Sequence, residues 1–133
     1  MGGSLVGIDL VQISQMAQSI ERFGHRFIER LFTDDEIRYC GQEAHASAAR
    51  YAARFAAKEA TMKVLRPDDR PLWFRSIEVR RAPAGHCDLV LHDAAQEMAR
   101  RAGIVSLAVS MSHEADYATA VVIAELVRPR DAA

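Results

Sequence analysis

Two short stretches carry the residues best suited to chemistry. The first is FAAKEATMK at 55–63, a helix-forming run in which Lys58, Glu59 and Lys63 interrupt alanines and larger apolar side chains. Residues four apart share a helix face, so Glu59 and Lys63 point together, as do Arg54 and Lys58. By pattern alone the commoner outcome is a solvated stripe with a surface ion pair, contributing less than about 1 kcal/mol. The second stretch is LVGIDLV at 5–11, a short strand interrupted by Asp9. Alternation against Ile8 and Leu10 puts Asp9 on the solvent face in the simplest case. The alternative is that Asp9 and Glu59, on two rigid elements, jointly hold a hard cation. Magnesium takes oxygen ligands and binds through a few carboxylates plus substrate phosphates.

His113 ends the apolar-rich run VSLAVSMSH, at a strand-to-turn junction. A lone histidine there is commonly structural or solvated. Beside a phosphate, its ring nitrogens exchange protons near neutral pH. Ser110 and Ser112 lack the strand-to-helix elbow of acyl hydrolases. His25, His45, His86 and His92 make no zinc pattern. Arg22, Arg26 and Arg30 recur every four residues beside Phe23, Phe27 and Leu31. That stripe is either a solvated helix face or a docking surface for an acidic protein, since opposite potentials aid encounter.

The elements that must position these groups follow from hydrophobic period and punctuation. Leu5–Val11 is predicted as a strand. Ile13, Met16, Ala17, Ile20 and Phe23 predict a helix, broken or bent at Gly24 before a second short one. TDDE at 33–36 is a capping box, with Thr33 as cap and Glu36 three residues on. Alanine propensity predicts one long helix from about Ala46 to Leu65, ended by Pro67. Strands follow at Ser76–Arg81 and Cys87–Leu91, a helix at His92–Ala102 stopped by Gly103, and two last strands joined by a tight turn at Glu114–Asp116. This order predicts an α+β fold: one domain over 1–133 with a long helix packed on a largely antiparallel sheet, its termini frayed near 1–4 and 128–133.

Bulk properties narrow the function. The 133 residues are 26% charged, with formal net charge −1, which gives no general electrostatic case for nucleic acid or a membrane surface. No stretch approaches the roughly 20 apolar residues of a bilayer span, and the N-terminus lacks a signal-peptide pattern. A cytoplasmic protein without membrane insertion is expected. Cys40 and Cys87 have no metal-ligand spacing and suit buried thiols.

Taken in order, VGIDLVQI at 6–13, RFGHRFIERLFTDDE at 22–36, YAARFAAKEATMK at 51–63, WFRSIEVRRAPAG at 73–85 and VSMSHEADYATAVVIAE at 109–125 span nearly the whole chain. In this combination the chain resembles the small holo-[acyl-carrier-protein] synthases, a class of 4'-phosphopantetheinyl transferase. The resemblance implies transfer of 4'-phosphopantetheine from coenzyme A to a serine of an apo acyl carrier protein or carrier domain, releasing adenosine 3',5'-bisphosphate. It implies magnesium on Asp9 and Glu59, Lys63 near the phosphates, and Arg54 and His113 as further coenzyme A contacts. The base that takes the serine proton stays open among Glu59, a water at the metal, and another carboxylate. The resemblance also implies a homotrimer with coenzyme A between neighbouring subunits, and Arg22, Arg26 and Arg30 facing the carrier. Fatty-acid, polyketide and peptide-synthesis carriers share this serine chemistry. The chain departs from the family pattern at Gln15, commonly basic; at Met62, often small and polar; at GHCD, 85–88; and in a glycine-free stretch at 65–72. These departures motivate an alternative, a catalytically altered paralogue that binds coenzyme A or a carrier without efficient transfer.

Overall fold

The computed structural model describes residues 2–41, 44–67 and 72–127, leaving aside the side chains of 44–46. Asp68, Asp69 and Arg70 of the glycine-free stretch, the tail from 128, and the His45 side chain lie outside the described residues.

Strand β1 (Ser4–Gln12) runs without a linker into helix α1 (Ile13–Phe23). Gly24, at φ 67°, then breaks the chain before α2 (His25–Leu31), a conformation that glycine adopts at little cost. Helix α3 (Asp34–Cys40) begins at the predicted capping box. Thr33 accepts from the Glu36 N–H, and Glu36 accepts in turn from the Thr33 N–H. The long helix α4 (Ala44–Leu65) is followed by a 3-10 turn at Phe74–Ser76, strands β2 (Ile77–Arg81) and β3 (Cys87–Leu91), helix α5 (Asp93–Arg101), and strands β4 (Ile104–Glu114) and β5 (Tyr117–Leu126). The predicted α+β class is observed, and among the described residues all three strand pairings are antiparallel. The strands divide into a three-stranded sheet ordered β1-β5-β4 and a separate β2-β3 hairpin. The Gly3 carbonyl accepts from the Leu126 N–H at 3.0 Å, and the Ser4 hydroxyl bonds the Glu125 carboxylate.

Helix α4 lies along one face of the three-stranded sheet. Its inward residues are small: Ala56 and Ala57 meet Ala120, and Ala60 and Val64 meet Val122 and Ala124. Small side chains on both surfaces let the backbones approach closely. Gly7 of β1 marks the limit, since a Cβ there would lie 2.1 Å from the Ala60 carbonyl oxygen. Gly7→Ala is therefore expected to destabilise the fold by about 1–3 kcal/mol through overpacking, read as a lower urea midpoint with unchanged m-value. A midpoint equal to wild type would show that α4 yields freely.

The hairpin and α5 close a second core around Leu65, Ile77, Ala95, Met98 and Ala99. Met62 packs against this cluster, so it fills space in the core.

Between these layers lies a charge pair that the pattern of α4 did not disclose. Lys58, expected on a solvated stripe, is 0% exposed. Its ammonium donates to Glu36 Oε1 at 2.7 Å and to the Phe74 and Ile77 carbonyls. The same Glu36 carboxylate accepts from the Val79 N–H at 2.9 Å. Burial pushes the Lys58 pKa down, and Glu36 opposes the shift. The stripe interpretation failed because helical spacing shows which residues share a face. It does not show that another element supplies a carboxylate to cover that face.

Candidate active site

Along β1, Leu5, Gly7, Asp9 and Val11 share the face toward α4, whereas Val6, Ile8 and Leu10 are 64%, 61% and 63% exposed on the other. Asp9 is thus on the helix side of the sheet, and the solvent-face expectation is corrected. The alternation was right in period and reversed in sense, because the outer face is apolar.

Asp9 sits opposite Ala120 of β5, its backbone carbonyl accepting from the Thr119 hydroxyl at 2.8 Å. Lys63 of α4 donates to the Ile8 carbonyl at 2.7 Å and lies 3.4 Å from Asp9 Oδ1. The expected ion pair within the helix is therefore replaced by one across to the strand. Lys63 is more than half exposed, so the contact adds little stability. Glu59 completes the group one turn before Lys63. Burial, and then the Asp9 charge, push its carboxyl up, while the Lys63 ammonium pulls it back. Two half-buried carboxylates in electrostatic contact beside a partly exposed ammonium match the oxygen donors a hard divalent cation takes.

The other candidates lie elsewhere. Arg54 is 5% exposed and five residues from Glu59, about 140° around the helix. Its guanidinium carbon is 4.4 Å from the centre of the Tyr39 ring, and its Nη1 donates to the Arg50 carbonyl at 3.3 Å. Its Nε is buried with no hydrogen-bond partner among the described residues. It borders a cavity of about 240 Å³ shared with Tyr39, Glu78, Arg80 and Arg81. Arg81 donates to the Tyr39 hydroxyl. Tyr39, Arg80 and Arg81 were not singled out from the sequence. The adjacent arginines of SIEVRR were visible, but their convergence on α3 depends on the hairpin.

His113 is exposed near the end of β4, opposite Ala118, which pairs with Val11. It stands one strand beyond β5 and two residues along from the level of Asp9, roughly 12 Å away between Cα atoms by strand geometry. Arg22, Arg26 and Arg30 are all exposed. Arg26 and Arg30 line a groove of about 510 Å³ with Phe23, Phe27 and Leu31. Both cysteines are free. Burial pushes the Cys40 thiol up to about 11, which keeps it protonated and unreactive.

The model of the 4'-phosphopantetheinyl transferase superfamily matches residues 5–122, which include Asp9, Glu59, Lys63 and His113. The chain belongs to this transferase superfamily. Within it, the chain is 45% identical over 120 residues to the holo-[acyl-carrier-protein] synthase of Koribacter versatilis, covering 90% of this chain and 95% of the relative. The corresponding enzyme of Moorella thermoacetica is 40% identical over 119 residues, covering 90% and 91%. The transferase fold recurs in the Helicobacter pylori holo-[acyl-carrier-protein] synthase in complex with coenzyme A, with a TM-score of 0.78, 31% identity and coverage of 91% of this chain and 100% of that one. A Chronobacterium ammoniagenes coenzyme A complex gives a TM-score of 0.81 and 32% identity, covering 95% and 99%.

Proposed function

We propose that the chain transfers 4'-phosphopantetheine from coenzyme A to a serine hydroxyl of an apo acyl carrier protein, releasing adenosine 3',5'-bisphosphate. The observation that carries this reading is the meeting of Asp9, Glu59 and Lys63 where α4 presses on β1. Asp9 and Glu59 hold the magnesium ion. When bound, the ion supplies Lewis acidity that neutralises the diphosphate of coenzyme A. Lys63 places a second positive charge on the same phosphates. The serine oxygen bonds to the phosphorus next to the pantetheine arm, and the bridging P–O bond breaks. The bridging oxygen leaves with the adenosine-side phosphate. The serine proton passes to an acceptor at the site, either the Glu59 carboxylate or a neighbouring water.

The Arg54 cavity receives the other anionic end of coenzyme A, the 3'-phosphate. Its lining sets Arg54, Arg80 and Arg81 beside Asp35, Glu36 and Glu78, with Arg80 paired to Glu78 at 3.1 Å, and the three guanidinium groups are the ones suited to phosphate oxygens. Arg54 and Glu59 lie on different sides of α4, so one face of the helix does not present both. A homotrimer with coenzyme A between subunits resolves this by pairing the Asp9–Glu59–Lys63 group of one subunit with Arg54 and His113 of the next. The exposed Val6, Ile8, Leu10 and Ile123 form the apolar sheet face that the trimer would cover. Ile8→Glu is expected to yield monomers in sedimentation equilibrium and to cut transfer at least about tenfold, because each site is then half complete. A wild-type chain that sediments as a monomer would contradict this arrangement.

The carrier docks on the groove lined by Phe23, Arg26, Phe27, Arg30 and Leu31, with Arg22 at its edge. Basic side chains steer an acidic partner, and the apolar floor gives it contact area. Among the described residues, no helix is long and apolar enough to cross a membrane; the proposed setting is the cytoplasm. The test is intact-mass measurement on a panel of purified apo carriers, incubated with the chain, coenzyme A and magnesium. At least one carrier gains one phosphopantetheine. Coenzyme A binding without any mass gain across the panel would favour the altered paralogue.

A further inference from the structure

Strand β1 passes into helix α1 with no intervening residue: Gln12 ends one and Ile13 begins the other. The angle between the strand that carries Asp9 and the helix that leads to the basic groove is therefore set at this junction. Gln12, at the N-cap position, makes no side-chain cap, and the first turn of α1 has no acidic residue of its own. The first amide groups of a helix need acceptors. Here they come from more than 100 residues away in sequence, at the turn between β4 and β5. The Asp116 backbone carbonyl accepts from the Ile13 N–H at 2.7 Å. Its carboxylate accepts from the Ser14 N–H at 2.9 Å and from the Ser14 hydroxyl at 2.6 Å. Ala115, beside it, holds a φ of 53°, a conformation costly for a residue with a Cβ. The strained turn aims Asp116 at α1.

We propose that Asp116 is a positioning residue for the carrier: it clamps the start of α1 to the β4–β5 turn and so fixes, relative to the Asp9 strand, the helix that leads into the docking groove on α2. This rests on the transfer reading above. Two further features support the assignment. Gln15, Gln18, Glu21 and Arg22 are exposed along α1, with Gln15 in the first turn that the clamp holds. His113 lies three residues before Asp116 on the same hairpin. The clamp therefore ties the helix that leads into the docking groove to the strand that carries His113. The Ser14 bonds also hold the Asp116 carboxyl below the usual carboxylate range, as expected for a charged cap at a helix N-terminus.

The test compares wild type, Asp116→Ala, Asp116→Asn and Ser14→Ala on an apo carrier that the wild-type chain modifies, below the unfolding temperature of each. Asp116→Ala is expected to raise the KM for the carrier about fivefold, the scale of a lost helix cap, with the KM for coenzyme A unchanged. Asp116→Asn keeps an acceptor for the Ser14 N–H and recovers most of the loss. Ser14→Ala gives an intermediate value. A purely structural role would reduce the active fraction, lowering kcat and leaving the carrier KM alone. An unchanged carrier KM in Asp116→Ala, or an equal rise for coenzyme A, overturns the clamp. No transfer by wild type to any carrier overturns the underlying transfer reading instead.

Discussion

Glu59→Ala is expected to lower kcat for phosphopantetheine transfer by roughly 10²–10³-fold, on the scale seen when one preorganised charge-stabilising group is removed. The substitution deletes one of the two carboxylates that meet at β1 and α4. It leaves Asp9 to pair with Lys63, already 3.4 Å away, so the remaining carboxylate is neutralised by the lysine that the proposed reading turns toward phosphate. On the proposed reading, raising the magnesium concentration is expected to recover only part of the loss, because a single carboxylate would no longer define the position of the ion. The folded state is not expected to suffer, since Glu59 carries a desolvation penalty rather than a stabilising pair. Thermal unfolding equal to or above wild type, alongside the loss of turnover, is the expected combination. Wild-type turnover in this variant would remove Glu59 from the site.

The largest loss of stability is expected at Lys58. Lys58→Met leaves the Glu36 carboxylate buried beside an apolar side chain and orphans the Phe74 and Ile77 carbonyls. Breaking one side of a buried pair in this way costs roughly 3–5 kcal/mol. Glu36 also caps α3 and accepts from Val79 on β2, so α3, α4 and the hairpin loosen together. The double variant Glu36→Gln, Lys58→Met is expected to be more stable than the single Lys58→Met, because no uncompensated charge remains. Urea unfolding of the three proteins measures this. A single variant within about 1 kcal/mol of wild type would mean that water reaches the pair.

The contrast between Lys58 and Glu59 shows what the sequence makes legible. Element types and order follow from period, alanine propensity, the Thr33–Glu36 box and the glycine breaks, all of which are local. That Glu59 and Lys63 share a face is also local. What Lys58 meets is not, because its partner lies 22 residues away on α3. Asp9 shows a second limit. Alternation fixes which residues share a strand face, but not which face the helix covers, and the exposed Val6, Ile8 and Leu10 invert the usual inference. The resemblance to a family named Asp9, Glu59, Lys63 and His113, yet it could not reveal that Tyr39, Arg80 and Arg81 enclose Arg54 or that Asp116 caps α1. Those contacts depend on how the hairpin and the β4–β5 turn pack.

The most direct test follows both halves of coenzyme A in one reaction. Phosphopantetheine gained by the apo carrier and adenosine 3',5'-bisphosphate released are quantified together, with magnesium or with excess chelator, for wild type and Glu59→Ala. The account predicts equal amounts of the two products, formed by wild type only when magnesium is present and nearly absent with Glu59→Ala. Equal yields with and without chelator, or undiminished yields from Glu59→Ala, would contradict it.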